Sequence, residues 1–429
     1  MNIDYSRGLF LSKRTRRLAA FLPMVAVLVP GAASAQDRRD DEVHLIGRMH
    51  DRIRLSRIRE EPSLAAELDD AYSRYVKAKK QIQDATGISY TMDASGLFQW
   101  GVPDGGYGAV QGLFTPSINW KAFTNTWAGS GSFQFAFTAT QYWSGLTTGA
   151  SLASRLGVNT PINDFPTNAN TFAQVTYTHT FPGNWLTLSV GQYPMYNFDG
   201  NAYAANQQVN FINYSMSQNG SSTYPTSSLG AYVQLNPMKD VTLAAGFQDA
   251  NNPTGSYVQT ASFGKGQYTW FIYGEWSPKL MNLGQSAISV LYYKQPSVPI
   301  QPRQSEGLSI SASQAIGTDW GLFFRGNTAW GGSWNVQSSI AGGGVYNNPL
   351  GRNSLDQIGL GFAWNRTNMS LFSPGTAVRQ DETVLEAYWA WTISRGLQIT
   401  PDVQLYFKPA LKPAIDLAAV FSLRLAAFF

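Results

Sequence analysis

The sequence predicts an all-β protein, a transmembrane antiparallel β-barrel of about 16 strands with a short N-terminal α-helical extension. Three observations carry the prediction. Period-two segments recur from Gly87 onward; charge is sparse over the same stretch; and the chain ends on an alternating strand that finishes in Phe429. The elements are taken below in chain order.

Residues 1–35 read as a secretory signal peptide. Arg7, Lys13, Arg14, Arg16 and Arg17 precede an apolar run from Leu18 to Val29, and Ala33-Ser34-Ala35 offers a cleavage site before Gln36. The run is too short, and too closely followed by Asp37, Arg38, Arg39 and Asp40, to be a spanning helix. The chain contains no cysteine, so neither a lipid-modified cysteine nor a disulfide framework is available.

Residues 36–85 form a different segment. Between 37 and 85 lie 11 acidic and 11 basic side chains, and the apolar spacing is helical. Pro62 starts a stretch in which Leu64, Leu68, Ala71, Tyr75, Ala78 and Ile82 recur every three or four residues, and Asp84 to Gly87 form a stop. Two readings stay open: a solvated amphipathic helix resting on the periplasmic end of the barrel or entering its lumen, and a short coiled coil joining several barrels.

Residues 86–429 are the expected barrel. Only 30 of these 344 residues are charged, 15 of each sign, whereas a soluble protein is normally about a quarter charged. Five of the basic residues that give the whole chain its slight positive balance leave with the signal peptide, so the charge does not argue for nucleic acid. Phe133, Phe135, Phe137 and Ala139 alternate with Gln134, Ala136, Thr138 and Thr140, and similar alternation recurs in segments such as 241–247, 268–276, 287–293, 308–314, 320–328, 358–364, 383–393 and 397–407. Most of these approach the length that a tilted strand needs to cross the hydrocarbon layer. Tight turns such as Phe181-Pro182-Gly183-Asn184, Asn236-Pro237-Met238-Lys239 and Ile316-Gly317-Thr318 alternate with long connections, for which 145–170 and 333–344 are the candidates.

Antiparallel closure of one chain favours an even count, so 16 strands is preferred and 18 stays open. The doubtful segments are 88–99 and 207–215. Pro401 interrupts an otherwise regular strand and reads as a bulge or a strand start. In the final strand Leu417, Phe421, Leu423, Leu425 and Phe429 share one face, while Ser422 and Arg424 share the other. The terminal Phe429 reads as the signal recognised by the barrel assembly machinery.

Several segments, in order, resemble the carbohydrate-selective porins of the OprB family. They are Tyr224-Pro225 with Leu229-Gly230-Ala231, the run from Ala244 to Ala250, Gly321 to Gly326, and Gly351-Arg352-Asn353-Ser354-Leu355-Asp356 followed by Gly359-Leu360-Gly361. Glu382, Glu386 and Tyr388, then Thr400 to Gln404, then Arg424 to Phe429 continue the likeness to the end. The family commonly has Arg-Pro and an acidic residue where this chain has Arg352 to Asp356, which bears on sugar specificity more than on fold. The resemblance implies an outer-membrane porin that passes small neutral solutes, sugars or polyols, by facilitated diffusion; a non-selective pore is the alternative.

Strand parity turns Tyr273, Glu275, Arg325, Glu382, Glu386, Gln404 and Arg424 inward, and an unpaired midplane Arg or Lys on the lipid face would cost about 2–4 kcal/mol. Arg352 and Asp356 fall where a long connection returns to the barrel. For each of these residues two roles are open, contact with a passing solute or a wall network that holds the barrel round. The expected partners are solutes, outer-membrane lipid and the assembly machinery, as a monomer or homotrimer, with no cofactor, metal or nucleic acid.

An adhesin or scaffold barrel and a barrel hydrolase are the competing classes. The chain's three histidines are His44, His50 and His179; the first two lie in the helical segment and His179 shares the outward parity of Val175 and Tyr177. No serine elbow, metal-spaced cluster or phosphate loop accompanies them, which argues against an enzyme.

Overall fold

The computed structural model describes residues 66–429 apart from positions 104, 105, 107, 144, 146 and 282. The expected signal peptide, its cleavage site and the first part of the charged segment lie outside the described residues. Helix α1 spans Ala66–Thr86. It stops where expected, at Gly87, whose φ of 73° is the left-handed conformation that glycine adopts without strain. The Gly87 N–H donates to the Gln83 carbonyl at 2.9 Å.

Sixteen long strands follow. They are β1 (Ile88–Val102), β2 (Ala109–Thr126), β3 (Gly129–Tyr142), β4 (Ala169–Thr180), β5 (Leu186–Tyr193), β6 (Ser228–Met238), β7 (Val241–Asp249) and β8 (Tyr268–Trp276). After them come β9 (Gly284–Gln295), β10 (Ser305–Ile316), β11 (Trp320–Gly331), β12 (Val336–Asn347), β13 (Gln357–Thr367), β14 (Asp381–Ser394), β15 (Leu397–Phe407) and β16 (Leu417–Ala427). A two-residue ladder, Lys279–Leu280 against Gly284 and Gln285, decorates the turn after β8. Each strand pairs antiparallel with the next, and β16 returns to β1 from Ala94↔Ala427 to Val102↔Ala419. The sheet is therefore a closed barrel without a free edge, in which backbone donors and acceptors are satisfied between strands.

The period-two pattern sorts the side chains. On β11, Trp320, Leu322 and Phe324 are exposed on the outer surface while Phe323 and Arg325 are buried inside. On β16 the exposed set is Leu417, Phe421, Leu423 and Leu425, and Ser422 and Arg424 are buried within. His179 faces outward, with Nε2 2.9 Å from the Ala128 carbonyl and Nδ1 3.2 Å from the Tyr177 hydroxyl, as its parity implied.

Strand β1 shows that the doubtful segment 88–99 is a full wall strand, paired to β2 from Ile88↔Trp120 to Gln99↔Ala109. Three readings of elements fail. Segment 333–344 is no long loop: β12 occupies most of it, and Ser338, Ile340 and Gly342 pair regularly with Arg366, Trp364 and Phe362. Its Ser and Gly content had mimicked a loop. Segment 207–215 is no strand, and it lies in the connection between β5 and β6. Pro401 produces neither bulge nor strand start: it pairs in register with Leu423, while the β14 ladder skips it between Tyr388↔Asp402 and Trp391↔Ile399. The missing proline donor thus falls on the β14 side.

Short turns gather at one end, with α1 and the C-terminus. There the Asp69 carboxylate accepts from the Arg395 N–H at 2.7 Å, and the Ser73 hydroxyl from Arg395 Nη1 at 2.9 Å. The Tyr75 ring sits edge-on to Tyr90 of β1 and to Phe429. The other end carries the long connections 143–168, 194–227 and 250–267.

Candidate functional site

Two of these long connections fold back into the barrel, and they build the site. The first, 143–168, contains helix α2 (Gly149–Leu156), started by a Thr148–Ser151 capping box and ended by Gly157 in the left-handed conformation. Its apolar face buries Leu152 and Leu156 completely, and the following Ile162 is equally buried. The second, 194–227, buries Met195, Phe211, Ile212 and Met216. Inward glycines on the wall make room for it. A Cβ at Gly361 would lie 2.6 Å from Met216 Sδ, and one at Gly321 would lie 2.4 Å from the Tyr203 ring.

The wall residues singled out by parity hold these loops. Arg325 on β11 is fully buried; its Nη1 donates to the Ser217 carbonyl at 3.0 Å, and its Nη2 donates to the Asp199 carbonyl and lies 3.4 Å from Asp199 Oδ1. Asp199 also accepts from Ser309 Oγ at 2.5 Å, Asn219 Nδ2 at 2.7 Å and the Tyr224 hydroxyl at 2.7 Å. An ion pair so deep needs these extra bonds to offset the loss of hydration.

Arg424 on β16 spends its guanidinium on main-chain carbonyls, those of Gln207, of Asn210 at 2.8 Å and of Val209 at 3.1 Å. The complement lies on β14. Glu386 accepts the N–H groups of Ile212 at 2.5 Å and Asn213 at 3.0 Å. Glu382 accepts those of Asn159 at 2.9 Å and Ala410 at 2.9 Å, so it ties the first loop to the 408–416 connection. Gln404 donates to the Ile162 carbonyl at 3.0 Å and accepts from Asn213 and from Tyr406. Charged side chains bound to main chain in this way give hydrogen bonds about twice as strong as neutral ones.

Tyr273 and Glu275 stand apart. Both are half-buried on β8, linked by a 2.7 Å hydrogen bond from the Tyr273 hydroxyl to Glu275. Arg352 and Asp356 lie elsewhere, at the short-turn end, in the connection 348–356. Their ion pair is bidentate at 3.0 and 2.5 Å; Arg352 also donates to the Thr392 carbonyl at 3.0 Å and stacks 4.3 Å above the Trp391 ring. Phe429 is half-exposed beside Tyr75, and its carbonyl accepts from the Met92 N–H at 2.9 Å.

Parity found the wall but missed the loops' own functional groups, above all Asp164 and Asp199. A signal was available: from Asn197 to Asn219 the chain loses period two and accumulates amides, among them Asn201, Asn206, Gln207, Gln208, Asn210 and Asn213. The half-buried polar surface inside the barrel includes Thr115, Asp164, Asn206, Gln218, Tyr273 and Glu275. Such a surface can exchange hydrogen bonds with a hydroxylated solute. Among the described residues no cluster of three His, Asp or Glu side chains is arranged to hold a metal ion.

With this geometry in hand, comparison with known proteins is direct. The model of the family described as "Carbohydrate-selective porin, OprB family" matches residues 114–293 and 282–429. The chain is 36% identical over 351 residues to Porin AaxA of Chlamydia pneumoniae, covering 80% of each. It is 34% identical over 356 residues to Porin AaxA of Chlamydia felis, covering 81% of this chain and 79% of the relative. Among solved structures, Pseudomonas putida OprB at high pH superposes with a TM-score of 0.65 at 15% identity, covering 83% of this chain and 97% of the other. Salmonella typhi OmpF in complex with daunomycin gives 0.54 at 8% identity, over 80% and 97%. At those identities the structures speak to the barrel alone.

Proposed function

The chain belongs to the carbohydrate-selective porin, OprB family, and from that premise we propose that it is an outer-membrane porin passing small neutral solutes, sugars foremost, by facilitated diffusion. The observation that carries the sugar reading is how the interior charges are used. Arg325 and Arg424 donate to main-chain carbonyls, and Glu382 and Glu386 accept main-chain N–H groups. Hydroxyls, amides, the Tyr273 phenol and the two carboxylates of Asp164 and Glu275 are left to face a solute, groups that can hydrogen-bond a molecule with many hydroxyls.

In this reading residues 1–35 are the signal peptide, the short-turn end with α1 is periplasmic, and the long-loop end faces outward. Arg325, Glu382, Glu386, Gln404 and Arg424 fix the shape of the constriction through the loops. Tyr273 and Glu275 lie beside the passing solute, Arg352 and Asp356 pin the periplasmic turn, and Phe429 serves the assembly machinery. The protein acts as a monomer or homotrimer, without cofactor and without catalysis.

The test is single-channel conductance in a planar bilayer, titrated with glucose and short oligosaccharides. Saturable block of the open channel is the expected result. A conducting channel indifferent to sugars would make it a general pore, and absence of conductance would favour a scaffold barrel.

A further inference from the structure

Asp164 has no place among the residues that hold the loops to the wall, because it holds the loops to each other. It belongs to the first inserted loop, and all its partners belong to the second. Its carboxylate accepts from the Ser217 hydroxyl, from Gln218 Nε2 at 3.3 Å and from the Gln207 N–H at 3.3 Å, while its own N–H donates to Gln207 Oε1 at 2.7 Å. Wall anchors flank the junction without touching the Asp164 carboxylate: Arg424 holds the Gln207 carbonyl, Arg325 holds the Ser217 carbonyl, and Gln111 of β2 accepts from Gln207 Nε2 at 2.8 Å and donates to the Phe165 carbonyl at 2.7 Å.

We propose that Asp164 is the positioning residue of the constriction, a latch between the two inserted loops whose release hydrates its carboxylate and widens the passage. The proposal rests on the porin reading. Parting the loops there breaks four hydrogen bonds around one half-buried side chain and need not disturb the barrel ladder.

The latch carries a proton linkage. Burial raises the Asp164 carboxyl from its ordinary 3.8 to about 6, against the bonds from Ser217, Gln218 and Gln207 and the nearby Arg325, which pull the other way. Tyr196, Asp199 and Tyr214 of the second loop and Arg424 of the wall complete the charged and titratable surroundings. In the open state the carboxylate is hydrated and returns toward its ordinary value. The latched state therefore binds the proton more tightly. Its added stability is complete below pH about 4 and is lost as pH rises through about 6. Because Asp164 is half-buried, solvent screens part of the effect, and we expect a change of about tenfold in the ratio of latched to open channels across that interval.

The experiment is single-channel recording of the intact mature protein between pH 4 and 8, with heat-modifiable migration confirming that each variant is folded. The wild type is expected to pass from a low-conductance to a high-conductance state as pH rises. Asp164→Asn, an imitation of the neutral acid, should stay latched with a flat pH profile. Ser217→Ala should favour the open state at every pH and keep the step. If Asp164→Asn shows the wild-type step, or if the wild type conducts without any step, the latch is wrong while the porin stands. If no form conducts at any pH, the porin reading falls first and the latch with it.

Discussion

At the scale of single residues, the interior charges work on main chain more than on open space. Glu386 is the clearest case, since two successive N–H groups, Ile212 and Asn213, end on its two oxygens. Glu386→Leu would strand both donors in a buried setting, at roughly 1–3 kcal/mol each. The expected outcome is amide exchange at Ile212 and Asn213 faster by about tenfold or more, with the barrel still resisting unfolding before boiling; unchanged exchange would show that the loop has other sufficient anchors. Strand parity could say that Glu386, Arg325 and Arg424 point inward, because a pleated strand leaves only two directions. It could not say what they meet there, because their partners sit in segments separated from them by much of the chain and marked by no periodicity.

Among the elements, most strands, the tight turns and the long connection at 145–170 were legible, and the inward folding of the loops was not. Alternation identifies a wall strand from local sequence, and it worked for β11, β14, β15 and β16. It failed at β12, where Ser338, Ser339 and Gly342 to Gly344 hide the pattern under small residues, and the doubtful candidate 207–215 lies in the second inserted loop. Helix α1 was legible from its spacing and its glycine stop, but its docking was not, since it depends on Arg395 at a distant turn. Asp69→Ala removes the acceptor for the Arg395 N–H and should weaken that docking by about 1 kcal/mol. Faster proteolysis within 66–86 with unaltered heat-modifiable migration is the expected result; a loss of barrel folding would give α1 a larger part.

For the whole molecule, one face of every strand meets the lipid in the proposed setting, and the cost of a misplaced charge tests it. Phe362 on β13 is exposed on the outer surface, so Phe362→Arg should destabilise the barrel by about 2–4 kcal/mol when unfolding is measured in lipid vesicles. A loss well below that would mean that the position lies outside the hydrocarbon layer. The closure described above carries a separate consequence for biogenesis. The partner of β1 across the seam is β16, so an export intermediate that lacks β16 presents two unpaired borders, β1 and β15, each able to template a foreign strand. No local folding event can seal the ring in advance. The commitment step is a single encounter between the two ends of the wall, and every preceding species exposes borders open to polymerisation.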